Sequence, residues 1–246
     1  MYDIERQEKI LEILKKEKSC SVTKLAKLLN YSEATIRRDL NVLDKELKIR
    51  KTFGGAVIFE TYSSEVPITI RRNENAEIKK KLCHCAAKLL QDNMTIFLAS
   101  STTTEYLVPH LKQHNNLTVI TNSPDVPKML SDTDITVYNT GGKFLHHSNS
   151  YVGEFARNMI RGINADMMFF SARGIGLDGR VTVSSTEDDI HQTMLKNSQK
   201  ACLIVDSNKI GNVFPFTICN TTDVTTIITD KELPASIITN EVIIAE

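Results

Sequence analysis

The chain has 246 residues, of which 41% are hydrophobic and 24% charged, and its 30 basic and 30 acidic side chains cancel at pH 7. These values are ordinary for a soluble globular protein of one or two domains. The sequence has no apolar stretch of the roughly twenty residues that a membrane span needs, and its polar start, MYDIERQEKI, does not resemble a secretory signal. We therefore expect a cytoplasmic protein with no membrane partner.

Residues 1–58 predict a small domain of three helices and a hairpin. The first helix covers about 3–17 and carries an apolar stripe at helical spacing, formed by Ile4, Ile10, Leu11 and Leu14. A second helix covers about 22–29, and Ser32 is a good N-cap for a third helix that runs to about Leu47. KIRKTFGGAVIF then predicts two short strands around a Gly-Gly turn. This order of elements is that of a winged helix-turn-helix.

The third predicted helix has one apolar face, formed by Ile36, Leu40, Leu43 and Leu47, and one polar face suited to DNA. Arginine can bind guanine through two hydrogen bonds, and threonine can contact a thymine methyl group or a phosphate. A pair of arginines alone is more often a solvated helix surface, but here a basic wing follows the helix. We expect Asp39 to be structural. The residues expected to contact DNA are Ser32, Thr35, Arg37, Arg38, Asn41, Arg50 and Lys51.

Residues 59–77 are polar, aperiodic and contain a proline, so we interpret them as a linker. Residues 78–246 alternate helical patterns with seven β-rich runs: MTIFLA, LTVIT, DITVYN, ADMMFFS, ACLIVD, TTIIT and EVIIAE. Strands separated by helices predict a mostly parallel α/β sheet that is covered on both faces. The fold class is therefore α/β, with an N-terminal winged helix-turn-helix.

The five cysteines are odd in number and scattered, which favours reduced thiols over a disulfide framework. Cys83, His84 and Cys85 are adjacent in AEIKKKLCHCAAKLL, which has the pattern of an amphipathic helix. Residues i and i+2 point to different faces of a helix, and the sequence offers no second ligand pair. We expect neither a metal site nor a cofactor.

Five hydroxyl residues in a row, at positions 100–104, follow the apolar run at 96–99. Parallel sheets bind ligands beyond the carboxyl ends of their strands, and phosphate favours backbone N–H groups, hydroxyl groups and a cation. Lys209, just after the β-rich run ACLIVD, could supply that cation. The alternative interpretation is that the hydroxyl run only caps a helix.

The stretch from Ser21 to Val57, with its TIRRDL core and downstream GGA, resembles the N-terminal domain of the DeoR family of bacterial transcriptional regulators. The rest of the chain is similar to that family's sensor domain. The matching motifs are Ala99-Ser100-Ser101-Thr102-Thr103, Thr121-Asn122-Ser123, Gly141-Gly142, Asp166-Met167-Met168-Phe169, Glu187 and Asp206-Ser207-Asn208-Lys209. That domain is similar to ribose-5-phosphate isomerase and coenzyme A transferases.

The resemblance implies a DNA-binding regulator, most often a repressor of carbohydrate metabolism, that binds operator DNA as a homodimer or homotetramer and is controlled by a phosphorylated sugar. The residues it implies for effector binding are Ser100, Ser101, Thr102, Thr103, Thr104, Asn122, Gly141, Arg173, Gly174, Glu187 and Lys209. Arg173 stands where the family more often has a small polar residue, and it could be a second cation or part of a structural ion pair.

Two departures leave alternatives open. Ala99 and Ser101 replace the aspartate and glycine of the family motif, which allows an effector-independent regulator with a degenerate sensor domain. A sugar-phosphate isomerase is the third alternative, but isomerisation needs a general base and a polarising group, and the acidic cluster of the isomerases is reduced here to Asp166 followed by Met167. We therefore expect no catalytic residues and no enzymatic activity.

Overall fold

The computed structural model describes residues 3–17, 19–45, 49–52, 54–58, 68–184 and 190–245. The chain divides into two compact units, Met1–Val66 and Pro67–Glu246. Within the described ranges, none of the helices has the length and apolar character needed to cross a bilayer.

The first unit contains three helices and a three-stranded antiparallel sheet with strand order β1-β3-β2. Its elements are α1 (Asp3–Glu17), β1 (Ser19–Ser21), α2 (Val22–Leu29), α3 (Glu33–Lys45), β2 (Ile49–Thr52) and β3 (Gly55–Ile58). This arrangement confirms the predicted winged helix-turn-helix. Strand β1 was not predicted, and it pairs with β3 so closely that a Cβ on Gly55 would lie 2.2 Å from the carbonyl oxygen of Cys20.

The core of the first unit follows the predicted periodicity in α2 and α3, where Leu25, Ile36, Leu40 and Leu43 are fully buried. Leu47, also predicted on this face, lies outside the described residues. The predicted apolar stripe of α1 is wrong in its first turn, because Ile4 is 70% exposed. Residues two apart point to different sides of a helix, and the inward position in that turn belongs to Arg6.

The second unit contains a seven-stranded sheet, two smaller sheets and six helices among its described residues. Its helices are α4 (Ile68–Asn73), α5 (Ala76–Ala87), α6 (Val108–Leu111), α7 (Asp125–Met129), α8 (Glu154–Arg161) and α9 (Ile190–Lys196). Its strands are β4 (Thr95–Leu98), β5 (Thr118–Thr121), β6 (Thr136–Asn139), β7 (Lys143–Leu145), β8 (Ser150–Val152), β9 (Ala165–Phe170), β10 (Gly174–Ile175), β11 (Arg180–Val183), β12 (Ser198–Ile204), β13 (Phe216–Asn220), β14 (Thr226–Thr229) and β15 (Glu241–Ile244).

The seven predicted β-rich runs form the strands of the large sheet, whose order is β15-β14-β12-β9-β4-β5-β6 and whose pairings are all parallel. Alternate residues of a strand point to opposite faces. Phe97 and Phe170 therefore lie in one apolar cluster, while Ile96 and Phe169 lie in the other, beneath α5. Both faces are covered, as predicted.

The segment interpreted as a linker, residues 59–77, contains the helix α4 and the start of α5. The linker interpretation is wrong for residues 68–73. Arginine side chains of this short helix make polar contacts with residues distant in sequence, and such contacts leave no periodic signal in the sequence. Residues 59–67 lie outside the described part of the chain.

Candidate functional site

Helix α3, called the recognition helix below, directly follows its predicted N-cap, Ser32. The Ser32 side chain accepts a hydrogen bond from the Thr35 backbone N–H at 3.2 Å. Arg37 and Arg38 are exposed. Arg37 pairs with Glu33 one turn earlier at 3.1 Å, whereas Arg38 has no ion pair or side-chain hydrogen bond to any described residue. The exposed tip of the helix therefore presents at least one arginine that is available to a ligand.

The wing strand β2 is attached to the second half of the recognition helix. The Lys51 backbone N–H donates to the Asp44 carboxylate at 2.8 Å, and the Lys51 ammonium donates to the Asn41 side-chain oxygen. These contacts place two of the predicted DNA-binding residues, Asn41 and Lys51, side by side. Arg50 lies in β2 opposite Val57, and its side chain is outside the described part of the structure.

Asp39 is structural, as expected, and its partner is Arg6. It lies on the buried side of the recognition helix and accepts two hydrogen bonds from Arg6 of α1, at 2.5 and 2.9 Å. The Arg6 guanidinium also lies 4.8 Å from the centre of the Tyr31 ring. The hydrogen bonds to Asp39 raise the pKa of Arg6, against the opposing effect of burial.

The hydroxyl loop, defined as residues 100–104, uses many of its polar groups internally. The Ser101 hydroxyl accepts hydrogen bonds from the backbone N–H groups of Thr103 and Thr104, and the Thr104 hydroxyl donates to the Ala99 carbonyl at 2.7 Å. The Ser100 N–H donates to the Asn122 side-chain oxygen at 2.7 Å. The Ser100 N–H and the hydroxyl groups of Ser101 and Thr104 therefore have partners within the protein, and the effector-binding role of residues 100–104 stays a prediction.

The segment that begins at the end of the hydroxyl loop contains little helix. It consists of one 3₁₀ turn, Thr104–Leu107, followed by the four-residue helix α6. Because the Ser101 hydroxyl already satisfies two amides at its start, the turn offers few N–H groups to a ligand. An anion would have to be held mainly by side chains.

Two lysines reach this region from different elements and meet its hydroxyl groups. The Lys79 ammonium, from α5, donates to the Thr102 hydroxyl at 3.1 Å. The Lys209 ammonium, after β12, donates to the Ser171 hydroxyl at 3.0 Å, and Ser171 in turn lies 3.5 Å from the Thr103 hydroxyl. We call Lys79, Thr102, Thr103, Ser171 and Lys209 the lysine–hydroxyl cluster. It lies where the adjacent strands β4, β9 and β12 end.

The lysine–hydroxyl cluster is rich in positive charge. Burial lowers the pKa of Lys209 to about 8; the nearby Asp206 carboxylate opposes this effect, while Lys79, Arg173 and Arg71 add to it. Burial also lowers the pKa of Lys79, which is only 3% exposed. When neighbouring cations lower each other's pKa, a bound anion stabilises their charged forms. The cluster therefore has the electrostatic character of an anion site.

Arg173 lies at the border of this cluster. It contributes to the electrostatic environment of Lys209, and its guanidinium carbon is 5.9 Å from the centre of the Phe214 ring. Arg173 is only partly buried. Both of its predicted roles, second cation and structural partner, remain predictions.

Three other predicted effector residues have local structural roles. Asn122 is 1% exposed, and its amide group donates to the Tyr151 carbonyl while its oxygen accepts from Ser100. A Cβ on Gly174 would lie 2.3 Å from the Asn212 carbonyl oxygen, so a close backbone approach requires this glycine. Gly141 has φ +57° and faces open space. Glu187 lies outside the described residues.

Sequence reasoning missed Lys79 and Ser171 as members of the cluster. A signal for Lys79 was present, because it stands three, four and seven residues before Leu82, Cys83 and Ala86, which are all fully buried. A lysine on the apolar stripe of a helix must either extend to water or find polar partners. Ser171 had no comparable signal, since a serine after a strand is common in turns.

The cysteines are free thiols. Burial raises the pKa of Cys83 to about 12, and its sulfur donates to the Thr103 carbonyl at 3.1 Å. Across the described ranges, no group of three or more His, Cys, Asp or Glu side chains is placed to hold a metal ion.

Comparison with known proteins matches both units. The family described as "DeoR-like helix-turn-helix domain" matches residues 6–62, and "DeoR C terminal sensor domain" matches residues 74–231. The chain is 35% identical over 236 residues to the uncharacterized HTH-type transcriptional regulator YulB of Bacillus subtilis, which covers 95% of this chain and 91% of that protein. It is 31% identical over 235 residues to the HTH-type transcriptional regulator GolR of Listeria innocua, covering 95% and 92%.

A further relative is the lactose phosphotransferase system repressor of Staphylococcus aureus, 29% identical over 232 residues, which cover 93% of this chain and 92% of that protein. Among solved structures, ribose 5-phosphate isomerase A of Methanocaldococcus jannaschii aligns with 15% identity and a TM-score of 0.42, over 56% of this chain and 55% of that one. That similarity is too remote to bear on function. The chain belongs to the DeoR family, and it is a DNA-binding transcriptional regulator with a C-terminal sensor domain rather than an enzyme.

Proposed function

We propose that the protein represses an operon of carbohydrate metabolism, and that a phosphorylated sugar bound at the lysine–hydroxyl cluster controls its binding to operator DNA. The single observation that carries this proposal is the convergence of Lys79 and Lys209 on the hydroxyl groups of Thr102, Thr103 and Ser171. One relative is named as the repressor of a lactose phosphotransferase system, which supports the carbohydrate assignment.

The chemistry of the cluster fits a phosphate ester. Ammonium and hydroxyl groups donate hydrogen bonds to phosphate oxygens, and charge-assisted bonds of this kind are roughly twice as strong as neutral ones. The largely buried position of the two lysines excludes much of the competing water, which strengthens their attraction for an anion. A phosphate would also offset the repulsion from Lys79, Arg173 and Arg71, which adds to the larger effect of burial in lowering the pKa of Lys209.

The sugar part of the effector meets a less polar surface at one position. Ala99 is fully buried and offers no carboxylate to sugar hydroxyl groups. The Ser101 hydroxyl caps the following turn. The backbone at this position is therefore held in one local structure, whereas a glycine would leave it flexible. We infer that both departures change the preference among phosphorylated sugars and leave the phosphate contacts intact.

DNA binding is proposed to use the recognition helix together with the wing. Arg37 and Arg38 project from its exposed side, while Arg6 and Asp39 fix its buried side to α1. Because one winged helix makes few base contacts, we propose that two or four copies of the chain bind a symmetric operator. Light scattering after size-exclusion chromatography measures this directly, and a monomeric mass would contradict it.

A thermal-shift screen tests the effector site. We expect at least one compound in a panel of sugar phosphates to raise the melting temperature of the wild-type protein, and Lys209→Met to abolish that shift. Lys112→Met is the matched control, because Lys112 pairs with Asp132 at the surface. If no sugar phosphate changes the melting temperature, the effector-independent regulator becomes the better account.

A further inference from the structure

Helix α4 is the first described element of the second unit, and the Arg72 side chain connects it to the residues that follow the hydroxyl loop. The Arg72 guanidinium donates to both carboxylate oxygens of Glu105, at 2.8 and 3.0 Å, and it also contacts Asp125. The Tyr106 hydroxyl donates to the Arg72 carbonyl at 3.1 Å. Glu105 and Tyr106 belong to the 3₁₀ turn that directly follows the hydroxyl loop. Any movement of that turn therefore acts on α4.

A second connection passes through the lysine–hydroxyl cluster itself. The Lys79 ammonium donates to the Thr102 hydroxyl and also to the Arg71 carbonyl of α4. This ammonium is therefore shared between the proposed effector site and the helix. Burial lowers the pKa of Lys79, so both of its partners matter for keeping the charged form inside the protein.

A third connection starts at Ser100. The Ser100 hydroxyl donates to the Asn149 carbonyl at 3.1 Å, and the Asn149 side chain donates to the Asp125 carboxylate at 2.8 Å. Asp125 is the second carboxylate that contacts Arg72. Three polar connections, two of which share Arg72 and Asp125, thus start at or directly after the hydroxyl loop and end on Arg71 or Arg72.

We propose that α4 is the element through which the sensor domain controls the DNA-binding unit, with Arg72 as its positioning residue. The proposal rests on the proposed binding of a phosphorylated effector at the lysine–hydroxyl cluster. A phosphate oxygen is a stronger acceptor for an ammonium than a neutral carbonyl is. Bound phosphate therefore draws Lys79 away from the Arg71 carbonyl, and α4 loses one of its three connections.

Helix α4 is well placed in the chain to transmit such a change. It begins at Ile68, directly after the division between the two units, so a change in α4 is passed on through the covalent chain. Coupling also requires that the effector bind one arrangement of α4 better than another. The Lys79 ammonium supplies that difference, because a bound phosphate attracts it more strongly than the Arg71 carbonyl does and so favours the arrangement in which the ammonium has moved toward the phosphate.

The first experiment measures the coupling with ligand. An operator duplex is selected in vitro from a random-sequence pool with the full chain, and its binding is followed by fluorescence anisotropy with and without ribose 5-phosphate or inorganic phosphate. We expect the better probe to change the wild-type operator Kd about 5-fold or more. Arg72→Gln should bind that probe within about 2-fold of wild type, yet its operator Kd should no longer respond.

Arg180→Gln is the matched control, since Arg180 forms an exposed pair with Asp178 at 2.6 Å. This variant should respond to the probe as the wild type does. If Arg72→Gln binds the probe and still shows the full change in operator affinity, the proposed role of α4 is wrong.

The second experiment needs no effector. Linkage is reciprocal, so operator DNA should change the hydrogen–deuterium exchange of the α4 amides in the wild-type protein but not in Arg72→Gln. If Arg72→Gln does not fold, Tyr106→Phe removes one donor to α4 and should reduce the change. An α4 whose exchange is the same with and without operator would overturn the proposal. If neither probe binds while operator DNA still alters α4, the effector assignment fails and the role of α4 stands.

Discussion

Arg6 of α1 and Asp39 of the recognition helix form a buried ion pair although 33 residues separate them, with 2.5 Å between the Arg6 Nε and an Asp39 carboxylate oxygen. Arg6 is 6% exposed and Asp39 is 2% exposed. Gln7 and Asp3 add further polar contacts at 3.4 and 3.0 Å. The pair therefore fixes the buried side of the helix whose exposed side carries Arg37 and Arg38.

Asp39→Ala is expected to destabilise the first unit by about 3–5 kcal/mol, because removal of one partner leaves the Arg6 charge buried without compensation. Denaturant unfolding measures this change. Glu33→Ala is the control, since it removes only exposed contacts, the pair with Arg37 and a hydrogen bond from the Thr23 hydroxyl, and should cost at most about 1 kcal/mol. Equal effects of the two substitutions would contradict the structural role of Asp39.

Arg37→Ala and Arg38→Ala should each weaken operator binding by about 1–3 kcal/mol while the fold remains intact. Both side chains are exposed, so their loss removes contacts to DNA rather than packing within the protein. Fluorescence anisotropy with an operator duplex gives the two affinities. Unchanged binding by both variants would show that α3 is not the recognition helix.

Effector binding should depend on pH through Lys209, whose pKa is lowered to about 8 by burial. A bound phosphate favours the ammonium and raises that pKa, so binding is strongest below about pH 8 and weakens as the free site loses its proton. One pH unit above the pKa, affinity should be about tenfold weaker. Calorimetric titration at pH 7 and pH 9 tests this, and a pH-independent Kd would be the contrary result.

Protonation of Lys209, which favours effector binding, should lower the free energy of unfolding of the protein without effector. Because the folded-state pKa of Lys209 lies below the ordinary lysine value of 10.5, the unfolded chain binds more protons between about pH 8 and 10.5. Burial of the charged lysine therefore costs stability below pH 8, and this cost disappears as pH rises through that window. Lys209→Met should raise the free energy of unfolding at pH 7 more than at pH 10. A constant difference would contradict the lowered pKa.

Two glycines that the sequence analysis grouped together should behave differently. Gly174→Ala forces a Cβ to within 2.3 Å of the Asn212 carbonyl oxygen and is expected to destabilise the protein by about 1–3 kcal/mol through steric overlap. Gly141→Ala meets open space, and its positive φ alone should cost about 1–2 kcal/mol. Thermal unfolding measures the loss of stability in both variants. Near-ultraviolet circular dichroism distinguishes them, because only Gly174→Ala should change the packing around Asn212. Identical spectra for both variants would contradict a close approach at Gly174.

Apolar patterns were sufficient to predict α2, α3 and all seven strands of the large sheet. Ile36 and Leu40 are buried at helical spacing in α3, and Phe97 and Phe170 are buried in two of the β-rich runs. Strand β1 and helix α4 escaped prediction for a common reason. Each is short, and each is held by a partner distant in sequence: β3 in one case, Glu105 and Asp125 in the other.

The candidate site was only partly predictable. The predicted positions of the strand ends placed residues 100–104 and Lys209 correctly at the same edge of the sheet. There, the Lys209 ammonium donates to the Ser171 hydroxyl, which lies 3.5 Å from the Thr103 hydroxyl. The sequence could not show that Ser101 caps its own loop or that Asn122 is engaged by Ser100 and Tyr151. Local hydrogen bonds compete with ligand contacts for the same groups, and that competition is decided only in three dimensions.

The central claim is that a phosphorylated sugar at the lysine–hydroxyl cluster controls operator binding. The most direct measurement is a titration of the protein–operator complex with individual sugar phosphates, for the wild type and for Lys209→Met. The account predicts that at least one sugar phosphate changes the wild-type operator Kd by about 5-fold or more and leaves that of Lys209→Met unchanged. An operator Kd that no sugar phosphate alters, or one that changes equally in both proteins, would contradict it.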